Sequence, residues 1–449
     1  MSENHLLELA VDVVRLAREA GAGDAECTIA EGNEFSAGVR MRELENLKEA
    51  GSRAAGLRIL IGRKTGSSYT SDLSREGIAH MVKSAVELAD ITTDDPHADL
   101  PEQGELGSVD GDLRLYSADV EGLATGLKVD LAKRAEEAAL SADPRISNSE
   151  GASFDTHLGR HIFANSRGFA GEYRSSYCGL STVPVAREDD SMERDYWDSS
   201  SRSFAGLEAP EEVGRKAAAR ALRRLKAVKV DTRKVPVIFE PRTARSLLDN
   251  LFEAVHGMLI YRHESFLAGK LGEKVAGENV TVIDDGTIPG LFGTSPFDDE
   301  GVPSRRTMVI ERGVLRNYLL NSYAARKLGM KTTGNASRGL TGNAGIGHGN
   351  FFLENGVQTA EQMITGISDG FYVTELIGMG VNIVTGDYSR GAAGIWIRNG
   401  ELAFAVSEVT IAGKLQDMLF ALEPANDLEF RNSIAAPTLR IGEMTVGGK

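Results

Sequence analysis

The sequence predicts an α+β fold: N-terminal α+β lobes with short-stranded sheets and packed helices, followed by a mainly antiparallel β domain with a few helices. Apolar residues recur at helical spacing near the N-terminus. The chain has 50 glycines in 449 residues, many in hairpin-like contexts, which favours tight turns between strands. Asn399-Gly400 joins the apolar runs IWI and LAFAV, and Asn-Gly tolerates the positive φ angles of a type I′ hairpin turn.

Residues 1–95 are predicted to form the first α+β lobe. A first helix ends before Gly21, strands follow near residues 26–30, 35–41 and 54–61, and a second helix repeats the spacing of the first. The apolar positions of the two helices are Leu6, Leu9, Ala10, Val13, Leu16 and Ala17, then Ile78, Met81, Val82, Ala85, Leu88 and Ala89. Each helix therefore has one buried face.

Residues 96–112 are predicted to form an acidic linker. From Thr92 to Asp112 the chain has seven Asp or Glu residues, two prolines and no Lys or Arg, a composition typical of a solvated segment. Residues 113–229 are then expected to form a central α+β lobe, with a helix at about residues 117–142 and a basic helix at 210–227. The basic run of that second helix indicates a solvated face.

Residues 230–449 are predicted to form the β-rich C-terminal domain. VPVIFE, at residues 235–240, is a short apolar strand, and a helix is expected from about residue 242 to residue 260. Strand signals dominate from there onward. No solenoid-type repeat is found.

Composition excludes several classes of protein. Lys and Arg number 50 against 65 Asp and Glu, and this net charge of −15 argues against direct binding of nucleic acid. No apolar run approaches the roughly 18 residues of a membrane span, and the acidic opening MSEN is unlike a secretory signal. Two cysteines, Cys27 and Cys178, are too few for a disulfide framework. We therefore expect a cytoplasmic protein.

Four segments carry a family resemblance: TVIDDGTIPGLFGTSPFDDEG at residues 281–301, TMVIERGVLRNY at 307–318, AARKLGMKTTGNASR at 324–338, and TVGG at 445–448. They are similar to the C-terminal domain of the TldD/PmbA family, also called the modulator of DNA gyrase family. The anchors span about the last half of the chain. The resemblance implies a subunit of a metallopeptidase.

The resemblance also indicates which subunit this is. TldD-type subunits have an HExxxH helix and a C-terminal cysteine that hold a catalytic metal, whereas an ungapped count places Leu248, Asp249 and Glu253 at the His, Glu and His positions. Leu248 also belongs to an apolar stripe at helical spacing, which predicts a core residue. The segment from Asn426 to the terminal TVGG contains no cysteine. The chain thus resembles the PmbA, or TldE, branch, with no metal or other cofactor of its own and with zinc or iron in a TldD-like partner.

His256, His263 and Glu264 are alternative metal ligands, since zinc prefers imidazole and carboxylate. On a continuous helix, His256 and His263 would be separated by about 10 Å of rise, too far to share one ion. His256 is therefore interpreted as structural. His263 and Glu264 lie where the helix should end, so they are kept as candidates for a peptide cleft.

Two loops supply the remaining candidates. The acids Asp284, Asp285, Asp298, Asp299 and Glu300 are interpreted mainly as turn caps and exposed loop acids, with the alternative that they form one wall of a substrate cleft. The TGN loop is defined as residues 333–335, and the glycine tract after it as residues 339–349. Both are expected either to be flexible or to contact a peptide or a subunit. The cleft candidates from these loops are Asp285, Asp299, Gly334, Asn335 and Arg338.

Three functional hypotheses follow. The first is a non-catalytic partner of a TldD-like subunit, in an assembly that degrades unfolded peptides or trims leader peptides. The second is an autonomous homodimeric peptidase with ligands drawn from His263, Glu264 or His348. The third is a non-enzymatic regulator of gyrase-related toxin systems. Nucleotide binding, serine hydrolysis and P-loop chemistry have no support, because GIGHG lacks a strand-to-helix context and neither GxSxG nor a Walker A loop occurs.

Overall fold

A computed structural model describes residues 5–448 of the chain. Residues 1–4, which open the acidic N-terminal segment discussed above, and Lys449 lie outside the described range. None of the helices within residues 5–448 is both long enough and apolar enough to cross a lipid bilayer.

Residues 5–448 form ten α-helices. They are α1 His5–Glu19, α2 Arg75–Ile91, α3 Ala118–Glu121, α4 Thr125–Leu140, α5 Pro210–Leu222, α6 Pro241–Ala254, α7 Gly257–Tyr261, α8 Ser322–Leu328, α9 Ala360–Thr365 and α10 Leu415–Phe420. The first two confirm the predicted amphipathic helices, because their apolar stripes pack in one core cluster, except for Leu88, which is exposed.

The strands are β1 Asp24–Arg40, β2 Glu43–Ile61, β3 Lys64–Thr70, β4 Ile146–Asn165, β5 Ala170–Glu188, β6 Ser191–Arg194, β7 Trp197–Ser201, β8 Arg233–Phe239, β9 Val282–Asp285, β10 Arg306–Glu311 and β11 Val314–Leu315. They continue as β12 Ala336–Ser337, β13 Gly345–Ile346, β14 Asn350–Leu353, β15 Asp369–Ile377, β16 Val381–Asn382, β17 Asp387–Arg398, β18 Glu401–Lys414, β19 Leu422–Pro424, β20 Ile434–Ala435 and β21 Leu439–Gly447. The predicted α+β class is confirmed.

The first sheet has the strand order β3-β2-β1-β4-β5-β6, with β7 paired to β5, and every pairing in it is antiparallel. Its four central strands are 17 to 20 residues long, far longer than the short strands expected. Glycines that suggested turns lie inside these strands, and Gly32 of β1 is opposite Gly159 of β4. Glycine in a strand interior permits bending and close approach.

This one sheet joins the parts of the chain on either side of the acidic segment, because β1 pairs with β4 along 14 residue pairs. Within that segment Ala98 and Leu100 are buried, so this portion is not solvated as its composition indicated. Arg326 of α8 donates to the carbonyl oxygens of His97, Asp99 and Leu100 and ties the segment to the C-terminal half. The proposed domain boundaries at residues 95, 112 and 229 remain a prediction.

The C-terminal half contains two larger sheets. One has the order β15-β8-β21-β18-β17-β16, and an additional β15–β17 pairing closes five of these strands into a ring. The other has the order β11-β10-β9-β14-β20. Asn399 and Gly400, with φ angles of 52° and 81°, connect β17 to β18, which confirms the predicted type of hairpin.

The helix predicted over residues 242–260 is broken. Helix α6 ends at Ala254, and His256 adopts an extended backbone that forms a parallel bridge with Leu319 before α7 begins. A methyl group on Gly257 would lie 2.4 Å from Cδ2 of Leu320 and 3.0 Å from the carbonyl oxygen of Leu319, so a larger residue would force these neighbours to shift. The separation of about 10 Å between His256 and His263 assumed a continuous helix and therefore does not apply.

The glycine tract that follows the TGN loop packs on the first sheet. A methyl group on Gly56 of β2 would lie 1.8 Å from the carbonyl oxygen of Leu340, and the amide of Gly342 donates to Ser67. Part of the tract is thus held against the N-terminal half of the chain.

Gly56→Ala is expected to push residues 339–343 off β2 and to lower the free energy of unfolding by about 1–3 kcal/mol, the usual cost of overpacking. Limited proteolysis with mapping of the cut sites checks the displacement, which should speed cleavage near Arg338. Gly126→Ala is the control, because no atom lies within 4 Å of a methyl group there. Equal cleavage rates in the two variants would contradict the contact.

Candidate functional site

A polar cleft of about 160 Å³ lies where loops of the C-terminal half meet the first sheet. We call it the acidic cleft. Among the residues that line it are Asp284, Asp298, Asp299, Gly334, Asn335 and His348. The structure therefore brings together three of the predicted cleft candidates, Asp299, Gly334 and Asn335, with His348.

Asp284 is the most unusual group of the acidic cleft. It is 2% exposed, and its Oδ2 accepts a hydrogen bond of 2.7 Å from Nδ2 of Asn335. Burial raises the pKa of Asp284 to about 6, although Asn335 and the charge of His348 oppose this. An ionisable group buried in a cleft with a raised pKa is typical of functional sites.

Burial of the neighbouring acids corrects the sequence-based interpretation. Asp284, Asp285, Asp298 and Glu300 are all buried and are not exposed loop acids. The turn-cap part of that interpretation holds: Asp298 accepts from the amides of Glu300, Val302 and Ala336, and Asp285 accepts from the amide of Thr287. Burial, reinforced by the charge of Glu300, raises the pKa of Asp298 well above its usual range.

Asp299 connects the acidic cleft to the first sheet. Its Oδ2 accepts a 2.7 Å hydrogen bond from the amide of Arg338, and its Oδ1 lies 3.3 Å from Nε2 of His161 on β4. Burial lowers the pKa of His161; the charge of Asp299 counters this shift and that of Arg338 adds to it. Sequence reasoning missed His161, because a single histidine in a strand has no distinguishing pattern.

Arg338 belongs to a buried ionic cluster beside the acidic cleft. Its guanidinium and that of Arg58 on β2 both donate to Oε1 of Glu26 on β1, and the side chains of all three residues are at most 9% exposed. Burial alone would raise the pKa of Glu26, but the charges of Arg338 and Arg58 hold it below its usual range. Arg338 is therefore a structural link between the two halves of the chain.

Close contacts between backbone segments at the cleft require glycine at two positions. A methyl group on Gly349 would lie 2.6 Å from the amide nitrogen of Gly286, and one on Gly293 would lie 2.1 Å from the carbonyl oxygen of Gly349. Side chains cannot fit between these segments. Backbone therefore forms much of this wall of the cleft.

Helix α6 contains the three positions that the resemblance aligns with the HExxxH motif. Leu248 is 2% exposed and packs in the main hydrophobic core, which confirms the prediction from its spacing. Asp249 and Glu253 lie on its partly solvated side. Desolvation of its carboxyl raises the pKa of Asp249, opposed by the charges of Arg245, His348 and Arg390.

The donor groups present do not fit a catalytic metal. Across residues 5–448, no three His, Cys, Asp or Glu side chains are grouped so that they could hold an ion. Both cysteines are buried in the first sheet, where burial raises each thiol pKa to about 12. A hydrocarbon side chain at position 248 provides no ligand.

His263 and Glu264 lie away from the acidic cleft. Both are exposed, His263 has a φ of 57°, and Glu264 is 3.8 Å from Arg262. His256 is half-buried with its ring against Phe252, and burial lowers its pKa. The ring of Phe252 also contacts His348, so His256 and His348 share one aromatic neighbour.

The fold and the sequence together show which class of protein this is. The chain belongs to the PmbA/TldD metallopeptidase family: the family's domain 1 matches residues 25–89, its central domain matches residues 119–225, and its C-terminal domain matches residues 232–448. The resemblance seen in the four sequence segments is confirmed.

Particular relatives are similar over their whole length. Metalloprotease PmbA of Escherichia coli O157:H7 is 37% identical over 449 residues, which cover 100% of this chain and 97% of the relative. The Metalloprotease PmbA homolog of Haemophilus influenzae is 36% identical, with coverages of 99% and 97%.

Solved structures of other proteins have the same fold as this chain. A crystal structure from Bacteroides thetaiotaomicron, described as a modulator of DNA gyrase, has a TM-score of 0.92 and 27% identity and covers both chains completely. TldE from Thermococcus kodakarensis has a TM-score of 0.89 over 98% of this chain and 100% of its own, and at 21% identity it shows the fold alone.

Proposed function

We propose that this chain is a non-catalytic, cleft-forming subunit of a TldD/TldE-type metallopeptidase assembly in the cytoplasm, which degrades unfolded peptides or trims leader peptides. The observation that carries the proposal is that Leu248 packs in the core, at the position that the resemblance aligns with the first histidine of the HExxxH motif. The relatives named metalloprotease support the peptidase class.

The acidic cleft supports a role in holding peptide. It is narrow, polar and walled partly by glycine backbone, and Asp299, Gly334 and Asn335 lie on it. An extended peptide can be held by backbone hydrogen bonds, with side-chain pockets adding specificity. His263, Glu264 and Asp285 do not line this cleft.

The metal of the assembly belongs to the partner in this proposal. Zinc or iron would be held by a TldD-like subunit, and hydrolysis would use that ion to activate water. In the absence of that subunit, a homodimer is the alternative assembly. Direct contact with nucleic acid or membrane is not part of the proposal.

Co-purification with a TldD-like chain, followed by peptide digestion with each subunit omitted in turn, tests the proposal. We expect cleavage of an unfolded peptide only when both subunits are present, and stoichiometric zinc or iron only in the partner. Stoichiometric zinc or iron in this chain alone, together with chelator-sensitive cleavage by it, would overturn the proposal.

Variants of this chain distinguish the proposed assembly from an autonomous peptidase. His263→Ala and Glu264→Gln alter exposed residues and should leave cleavage by the assembly unchanged, as should Asp249→Asn and Glu253→Gln at the former motif positions. A loss of activity of 100-fold or more in the first pair, with normal assembly, would support ligands in this chain instead.

A further inference from the structure

A second and larger cavity, of about 850 Å³, lies between the first sheet, helices α5 and α6, and the ring of strands. We call it the arginine cavity. Its volume is within the range of small-ligand sites. Its charged lining consists of Arg40, Arg194, Arg220, Arg224, Arg242 and Arg390 with Glu150, Glu193, Asp195 and Glu375.

Four of the six arginines have carboxylate partners. The ion pairs are Arg194–Glu150, Arg220–Asp195 and Arg220–Glu240, Arg224–Glu193 and Arg224–Glu375, and Arg242–Asp198. The basic run of α5 is thus not simply a solvated face as predicted, because Arg220 is buried in such a network. Arg40 and Arg390 have no carboxylate of the described chain within 4.0 Å.

Arg390 on β17 is the more significant of these two residues. Its side chain is partly buried, and its Nε is inaccessible to solvent and lacks an acceptor in the described chain. A guanidinium remains charged at all physiological pH values, and a buried N–H donor without an acceptor is costly. The lining has six arginines and four carboxylates, and Nε of Arg390 has no acceptor, so the geometry indicates an anionic ligand.

The rest of the lining selects among anions. Val183, Val185, Met192 and Leu376 give the cavity an apolar portion. Inorganic phosphate has no apolar group that could fill this portion, whereas a carboxylate on an aliphatic chain does. An arginine fork matches the planar geometry of a carboxylate.

We propose that the arginine cavity binds a carboxylate carried on an apolar group, with Arg390 as the main cationic contact and Arg40 as a second. The C-terminal residue of a peptide and a free aliphatic carboxylic acid share this chemistry. If the source is a peptide, the site extends the proposed function to recognition of peptide ends.

Titration calorimetry on the full chain without a partner tests the binding. The probes are an alanine–leucine hexapeptide with a free C-terminus, the same peptide with an amidated C-terminus, octanoate, and inorganic phosphate. We expect saturable binding of the free-acid peptide or of octanoate, with at least tenfold weaker binding of the amide and of phosphate. Stronger binding of the peptide identifies a peptide end as the source, and stronger binding of octanoate identifies a free acid.

Arg390→Gln should weaken binding at least tenfold without lowering the Tm, because Arg390 forms no ion pair within 4.0 Å in the described chain. Arg390→Lys should give an intermediate affinity, since it keeps the charge but loses the fork. Arg398→Gln, on the same strand over Phe404 and outside the cavity, is the matched control and should bind normally.

Binding of the amidated peptide or of phosphate as tight as that of the free acids, unchanged affinity in Arg390→Gln, or no binding at millimolar concentrations would each overturn the proposal. Because calorimetry requires neither partner nor cleavage, its result is independent of the digestion assay.

Discussion

Glu26→Gln is expected to lower the free energy of unfolding by about 3–5 kcal/mol, the range found when one partner of a buried ion pair is removed. Oε1 of Glu26 is the acceptor shared by Arg58 and Arg338, so glutamine keeps the shape but leaves two buried guanidinium groups without a carboxylate. Urea unfolding followed by circular dichroism measures the change.

The control for this variant is Glu278→Gln. Glu278 pairs with Arg312 at 2.9 Å, but both side chains are more than two-thirds exposed, and such pairs contribute about 0–1 kcal/mol. A double variant, Glu26→Gln with Arg338→Met, should recover part of the loss because it removes one of the unpaired charges. Equal effects of Glu26→Gln and Glu278→Gln would show that the buried cluster does not hold the two halves together.

Local signals were enough to predict part of the fold. The stripe that places Leu248 in the core and the Asn399-Gly400 turn each depend on residues within a few positions of one another. Both are confirmed, because helical periodicity and positive φ are decided by neighbours in sequence.

Features set by distant segments were not predictable. The break between α6 and α7 depends on a bridge to Leu319, and the long strands of the first sheet depend on pairing between β1 and β4 across more than a hundred residues. The sequence pattern of acidic turn residues around Asp284 and Asp298 is the same whether the loop is exposed to solvent or covered by other segments. Their burial is produced by the loops around Asn335 and Gly349, which the sequence alone could not place over them.

Asp284→Asn is expected to flatten the dependence of stability on pH. The pKa of Asp284 is about 6 in the folded protein and about 3.9 when unfolded, so the folded state binds the proton more tightly. The resulting stabilisation is complete below the unfolded value and is lost as pH rises through 6, a total of about 3 kcal/mol at 1.36 kcal/mol per pKa unit. Asparagine cannot titrate, so the variant should gain about 2 kcal/mol relative to wild type between pH 4.5 and pH 8.

Urea unfolding of both proteins at the two pH values measures this gain. Asp298 and Glu300 are present in both proteins, so their contributions to the pH dependence of stability cancel in the comparison. Asp94→Asn, at an exposed position, is the control and should track wild type at each pH. An identical gap between Asp284→Asn and wild type at pH 4.5 and pH 8 would mean that the folded chain does not hold this proton. A gap that grows with pH would mean that the cleft retains a destabilising carboxylate at neutral pH, which is expected of a group kept for binding rather than for stability.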